Sequence, residues 1–131
     1  MLVDRMVNKI LVVDDDPDII YSIKEGIGGL YSNYEIITVN NGDECLKFLE
    51  TNQIPDLILL DIMMPEMSGW ETFNKIREKF SSEQIPIIFI TARIDQTAKN
   101  AGGFLGEEYI EKPFEIPYLK EKIDKVLKKT R

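Results

Sequence analysis

The sequence has one cysteine, no apolar run approaching a membrane span, and fewer basic than acidic side chains, and each shortage removes a class of function. Cys45 alone cannot form an internal disulfide, so the fold must rest on a packed core. The longest apolar stretches fall far short of the ~20 residues that cross a bilayer. Met1-Leu2-Val3-Asp4-Arg5 offers neither the apolar centre nor the flanks of a signal peptide, so the expectation is a cytoplasmic protein in a reducing compartment with no membrane insertion. Sixteen Lys and Arg against twenty-three Asp and Glu leave a net charge of −7, which argues against direct nucleic-acid binding. No repeat, low-complexity tract or linker breaks the chain.

What is present suits one domain. A chain of 131 residues buries roughly two-thirds of its unfolded surface on folding. Short apolar runs alternate with helical patterns, which predicts an α/β fold with a parallel sheet covered on both faces. Lys9 to Val13 reads as a strand buried on both sides, because its apolar run is continuous rather than alternating, and Asp56 to Leu60 and Pro86 to Ile90 read as two more strands. Glu35 to Val39 and Tyr109 to Glu111 complete five. Between them, Asp16-Pro17 reads as an N-cap and first helical position, with Ile19, Ile20, Ile23 and Ile27 as the buried stripe and Gly26, Gly28 and Gly29 fraying the end. Further helices are predicted over Asp43–Glu50, Trp70–Lys79 and from Glu115-Ile116-Pro117 onward. A short helix is expected before Ala101-Gly102-Gly103, where poor helix formers collect.

The chemistry collects at strand ends, where an open α/β sheet places its ligands. Asp14 and Asp15 follow the first strand, Asp61 the third, Thr91 the fourth, and Lys112-Pro113 the fifth. Asp16 already fills the helix cap, so Asp14 and Asp15 are not needed there. Three carboxylates at one sheet edge repel one another and raise their pKa values unless a cation sits among them. A hard divalent ion with open water positions suits this set, so Mg²⁺, or Mn²⁺ in its place, is the expected cofactor. That ion and Lys112 could offset charge on a phosphoryl group moving onto Asp61, with a hydroxyl hydrogen bond from Thr91.

Leu11-Val12-Val13-Asp14-Asp15, Leu60-Asp61-Ile62-Met63-Met64-Pro65 with Gly69, Ile90-Thr91-Ala92 and Tyr109-Ile110-Glu111-Lys112-Pro113-Phe114, in this order, resemble the receiver domain of two-component response regulators, chemotaxis-type and flavodoxin-like. The resemblance runs from about Lys9 to Lys128 and implies one receiver domain over residues 1–131, with strand order 2-1-3-4-5. It implies that Asp61 accepts phosphate from a histidine kinase or histidine phosphotransfer protein. Asp14, Asp15, Asp61 and the Met63 carbonyl would then hold the metal, and Lys112 would contact the phosphate. Thr91 and Tyr109 would form the switch that controls a downstream effector, with a phosphorylation-dependent homodimer among the outcomes. Such a chain catalyses only its own phosphorylation and dephosphorylation. By the same resemblance Met63 and Arg93 flank the approach of the hydrolytic water, and their side chains imply a long-lived phosphorylated state. Gly106-Glu107-Glu108-Tyr109 is one residue shorter than the family's usual stretch, and with Gly102-Gly103 it implies a pliable signalling face.

Three rivals are weaker. Asp14-Asp15-Asp16 is similar to the nucleophile motif of haloacid-dehalogenase-type phosphatases, but Asp18 stands where Thr or Val is wanted and no cap domain fits. A phosphate-independent interaction module would leave a complete acidic site without purpose. A nucleotide-binding reading fails because Gly26-Ile27-Gly28 lacks its third glycine and lies at a helix end.

Overall fold

Strand-end chemistry requires strands in register, and the computed structural model supplies them. It describes residues 7–51, 53–81, 84–92 and 108–129. Five strands, β1 (Asn8–Val13), β2 (Tyr34–Val39), β3 (Leu57–Asp61), β4 (Ile87–Thr91) and β5 (Glu108–Glu111), form one parallel sheet in the order β2-β1-β3-β4-β5. Four helices, α1 (Pro17–Ile23), α2 (Gly42–Thr51), α3 (Gly69–Lys79) and α4 (Ile116–Lys129), are seen among the described residues. The expected helix between the fourth and fifth strands, with Gly102 and Gly103, lies outside them.

Successive side chains of a strand point to opposite faces, so a strand buried on both faces must be apolar throughout. Ile10, Val12, Leu57, Leu59, Ile88, Ile90 and Ile110 pack on one face with Ile23 and Ile27 and with Leu119 and Ile123 of α4. Leu11, Val13, Ile58, Leu60, Ile87 and Phe89 pack on the other with Cys45 and Leu49 of α2 and Phe73 and Ile76 of α3. Burial pushes the Cys45 thiol up to about 12, which makes it a packing residue.

Helix starts follow local chemistry. The Asp16 carboxylate accepts the Asp18 N–H at 2.9 Å, with Pro17 at the first helical position. Ser68 and Glu71 form a reciprocal capping box at α3. One expectation needs correction: the glycines after α1 do not fray it. The helix continues as a π-helical turn over Lys24–Gly28, in which the Gly29 N–H donates to the Lys24 carbonyl at 3.0 Å.

Candidate phosphoryl-acceptor site

The period of two along each strand decides which side chains meet. Asp14 follows Ile10 and Val12 in phase, Asp61 follows Leu57 and Leu59, and Lys112 follows Ile110. All three therefore belong to the α1/α4 face at the carboxyl edge of the sheet, and the distances agree. The Lys112 ammonium lies 3.1 Å from Asp14 Oδ2 and 3.5 Å from Asp61 Oδ1. Thr91 follows Phe89 in phase, and Tyr109 pairs with Phe89 across β4 and β5, so this pair shares the opposite face. Thr91 is buried, and Tyr109 is half-buried against the Phe89 cluster.

Asp14 and Asp61 are nearly inaccessible, at 0% and 2%, whereas Asp15 is exposed. One carboxylate oxygen from each of the three lies within 4.8 Å of the others. Asp14 Oδ1 accepts the Asp16 N–H at 2.9 Å, while Asp14 Oδ2, fully buried, has the Lys112 ion pair but no hydrogen bond of good geometry. Burial first, and the neighbouring Asp14 charge second, push the Asp61 carboxyl up to about 6. Lys112 and the Met63 N–H, which donates to Asp61 Oδ1 at 3.3 Å, oppose that rise without cancelling it. For Lys112, burial works against the charge, but the pull of Asp14 and Asp61 prevails and holds its pKa above the ordinary lysine value.

The donor set fits a hard divalent cation: only carboxylate oxygens, one of them buried without a hydrogen bond, and a net negative cluster that one lysine leaves unbalanced. The Met63 side chain is exposed, and its N–H reaches back to Asp61. Arg93 lies outside the described residues.

Reading the sequence alone left two supports of this site unexplained. Gly69 donates its N–H to the Ile62 carbonyl at 2.9 Å, and a Cβ there would stand 2.3 Å from the Asp61 carbonyl oxygen and 2.7 Å from Ile62 Cα. Only glycine lets α3 begin against the backbone of Asp61 and Ile62. The Trp70 ring lies 4.6 Å from that of Phe89, tilted by 49°, and Phe89 in turn contacts Phe73 at 5.2 Å. Glycine after a Pro-containing loop was the available signal for the first; an aromatic at the start of a helix gave none for the second.

A family model described as "Response regulator receiver domain" matches residues 10–124. The chain is 39% identical over 123 residues to a "Probable cyclic di-GMP phosphodiesterase" of Vibrio cholerae, covering 93% of this chain and 27% of that protein. It is 34% identical over 126 residues to the "Alkaline phosphatase synthesis transcriptional regulatory protein PhoP" of Bacillus subtilis, covering 95% of this chain and 50% of that protein. The chain thus spans half or less of these relatives' lengths. Among solved structures, the receiver domain of the Francisella response regulator 1452 superposes with a TM-score of 0.82 at 29% identity, covering 95% of this chain and 99% of the other.

Proposed function

Because the chain belongs to the response regulator receiver domain family, whose members are phosphorylation-controlled signalling switches, we propose that Asp61 is the residue that takes the phosphoryl group. One observation carries this reading: a buried carboxylate at a strand end, 3.5 Å from a lysine ammonium and clustered with two further aspartates. The donor is a histidine kinase or histidine phosphotransfer protein. An Asp61 oxygen forms a bond to phosphorus as the phosphorus–nitrogen bond of the donor's phosphohistidine breaks, and the leaving imidazole nitrogen keeps the electron pair and takes a proton from solvent. With its pKa near 6, Asp61 is largely ionised at pH 7 and so available as the nucleophile. Lys112 neutralises charge on the transferred oxygens.

Receiver domains bind Mg²⁺ at an acidic pocket, and here Asp14, Asp15, Asp61 and the Met63 carbonyl would hold it, where it would screen carboxylate from phosphoryl charge. Thr91 and Tyr109, on one sheet face with Phe89, the register partner of Tyr109 two residues before Thr91, form the switch. Beside Tyr109 lies a groove of about 560 Å³ with Phe114 and Tyr118 in its lining and Glu108, Glu111 and Glu115 among its charges, a surface suited to a downstream effector. The apolar, exposed Met63 offers no strong hydrogen bond to an attacking water and favours a long-lived phosphorylated state; Arg93 is assigned the second screening position on sequence grounds alone. The whole chain, residues 1–131, is read as one cytoplasmic receiver domain that acts on protein partners, another copy of itself included, rather than on nucleic acid.

Acetyl phosphate with Mg²⁺ should label Asp61, as located by mass spectrometry, and Asp61→Asn should abolish the label. Label on Asp14 would overturn the assignment, and undiminished labelling in EDTA would remove the metal from the mechanism.

A further inference from the structure

The acceptor and its metal-side carboxylates are anchored by the sheet, but Lys112 precedes a loop of three residues that ends at Ile116, the first residue of α4. One end of this loop is tied directly to the sheet, since the Lys112 N–H donates to the Thr91 carbonyl at 2.7 Å. The other end is tied to α1. A Cβ at Gly26 would stand 2.7 Å from Ile116 Cγ1, 2.8 Å from Cδ1 and 3.1 Å from Cγ2, so both branches of the isoleucine rest on the bare glycine. Ile116 packs against the same core face as Ile23 and Ile27. One turn further along α4, the Lys120 ammonium lies 4.7 Å from the centre of the Tyr31 ring and 2.7 Å from Asp124 Oδ2. The start of α4 is thus docked on the π-helical end of the helix that begins beside Asp14 and Asp15.

We propose that Gly26 is a positioning residue for phosphoryl transfer: by leaving a seat for Ile116 it fixes the start of α4 and, through the Pro113–Glu115 loop, the place of the Lys112 ammonium between Asp14 and Asp61. The proposal rests on Asp61 being the acceptor. A β-branched side chain on a helix strongly prefers one rotamer, so Ile116 can turn away from an intruding methyl only at a cost. Carbon atoms in contact prefer separations of about 3.5–4.0 Å, so an alanine at 26 must drive Ile116 back by about 1 Å. A displacement of that size at a group acting on the reaction costs up to about 10²-fold.

The test compares the native chain with Gly26→Ala, Ile116→Ala and the double variant. Rates of Asp61 phosphorylation by acetyl phosphate at saturating Mg²⁺, Mg²⁺ affinity by calorimetry and thermal denaturation are measured for each. Gly26→Ala should lower the rate about tenfold or more, with Mg²⁺ affinity within about twofold of native. Ile116→Ala, which empties the seat without a clash, should lower it about threefold. The double variant, in which the alanine methyl at 26 refills the space left by the shortened side chain, should return to within about threefold of native. A native rate in Gly26→Ala, or rates that follow melting temperature with no recovery in the double variant, would overturn the proposal. Should Gly26→Ala not fold, a native rate in Ile116→Ala overturns it equally. Failure of the native chain to take label on Asp61 would instead strike the acceptor assignment, and this proposal with it.

Discussion

Replacing Asp61 by asparagine should stabilise the metal-free protein at neutral pH while destroying its chemistry. In the folded state the carboxyl titrates at about 6 against 3.8 for the free side chain, because burial and Asp14 disfavour its charge more than Lys112 favours it. The sign follows from proton binding. Between these two values the folded state holds a proton that the unfolded chain has lost, so stability falls as pH rises through this window and stays low above it. A gap of roughly two pH units at about 1.4 kcal/mol each amounts to about 3 kcal/mol, which for a chain of this size shifts the melting temperature on the order of 10 °C. Asparagine keeps the shape and removes the charge. Urea denaturation in EDTA at pH 7.5 should therefore show the Asp61→Asn variant more stable by up to about 3 kcal/mol, and the advantage should shrink as pH falls below 6 and vanish below about 4. Adding Mg²⁺ should narrow the gap at pH 7.5, since an ion held by native carboxylates stabilises the folded state by mass action. A variant no more stable than the native protein at pH 7.5, or an advantage that persists unchanged at pH 4, would refute the claim that Asp61 is held charged against its surroundings.

Asp15→Asn should weaken Mg²⁺ binding and Asp61 phosphorylation together, as read by calorimetry and labelling, yet change fold stability by less than about 0.5 kcal/mol because Asp15 is exposed. Gly69→Ala should cost about 1–3 kcal/mol in denaturation and slow phosphorylation at temperatures where the variant remains folded, since its methyl meets backbone atoms of Asp61 and Ile62 rather than a side chain that can turn away. Met63→Asn should shorten the lifetime of the aspartyl phosphate in excess Mg²⁺ without altering the melting temperature, because the side chain is 65% exposed and an amide there can hold a water by hydrogen bonds that methionine cannot make; decay at the native rate would remove this side chain from control of hydrolysis.

Those residues that the sequence revealed are ones whose placement follows from the sheet. Ile10 to Val13 and Leu57 to Leu60 are continuously apolar because helices cover both faces, and the same burial fixes their register, Val13 opposite Leu60. Once that register is set, Asp14 and Asp61 must emerge at one edge and on one face, so the strongest folding signal in the chain also assembles the site. The alternation that separates Lys112 from Tyr109 was equally present in the sequence, and it places Asp14, Asp61 and Lys112 on one face of the strand ends and Thr91 and Tyr109 on the other. The arrangement of α1 against α4 was hidden for the opposite reason. Gly26 reads as a helix breaker in its own neighbourhood, yet it lies inside an ordered π-helical turn, and the side chain that rests on it, Ile116, stands ninety residues later. Local propensity is legible because it depends on neighbours in the chain, whereas a contact whose meaning lies in the absence of a side chain leaves no pattern of its own. Hence the carboxylates and lysine that meet at one edge could be named from strand ends alone, while the close approaches at Gly69, to the Asp61 backbone, and at Gly26, to Ile116, take their meaning from how the helices pack.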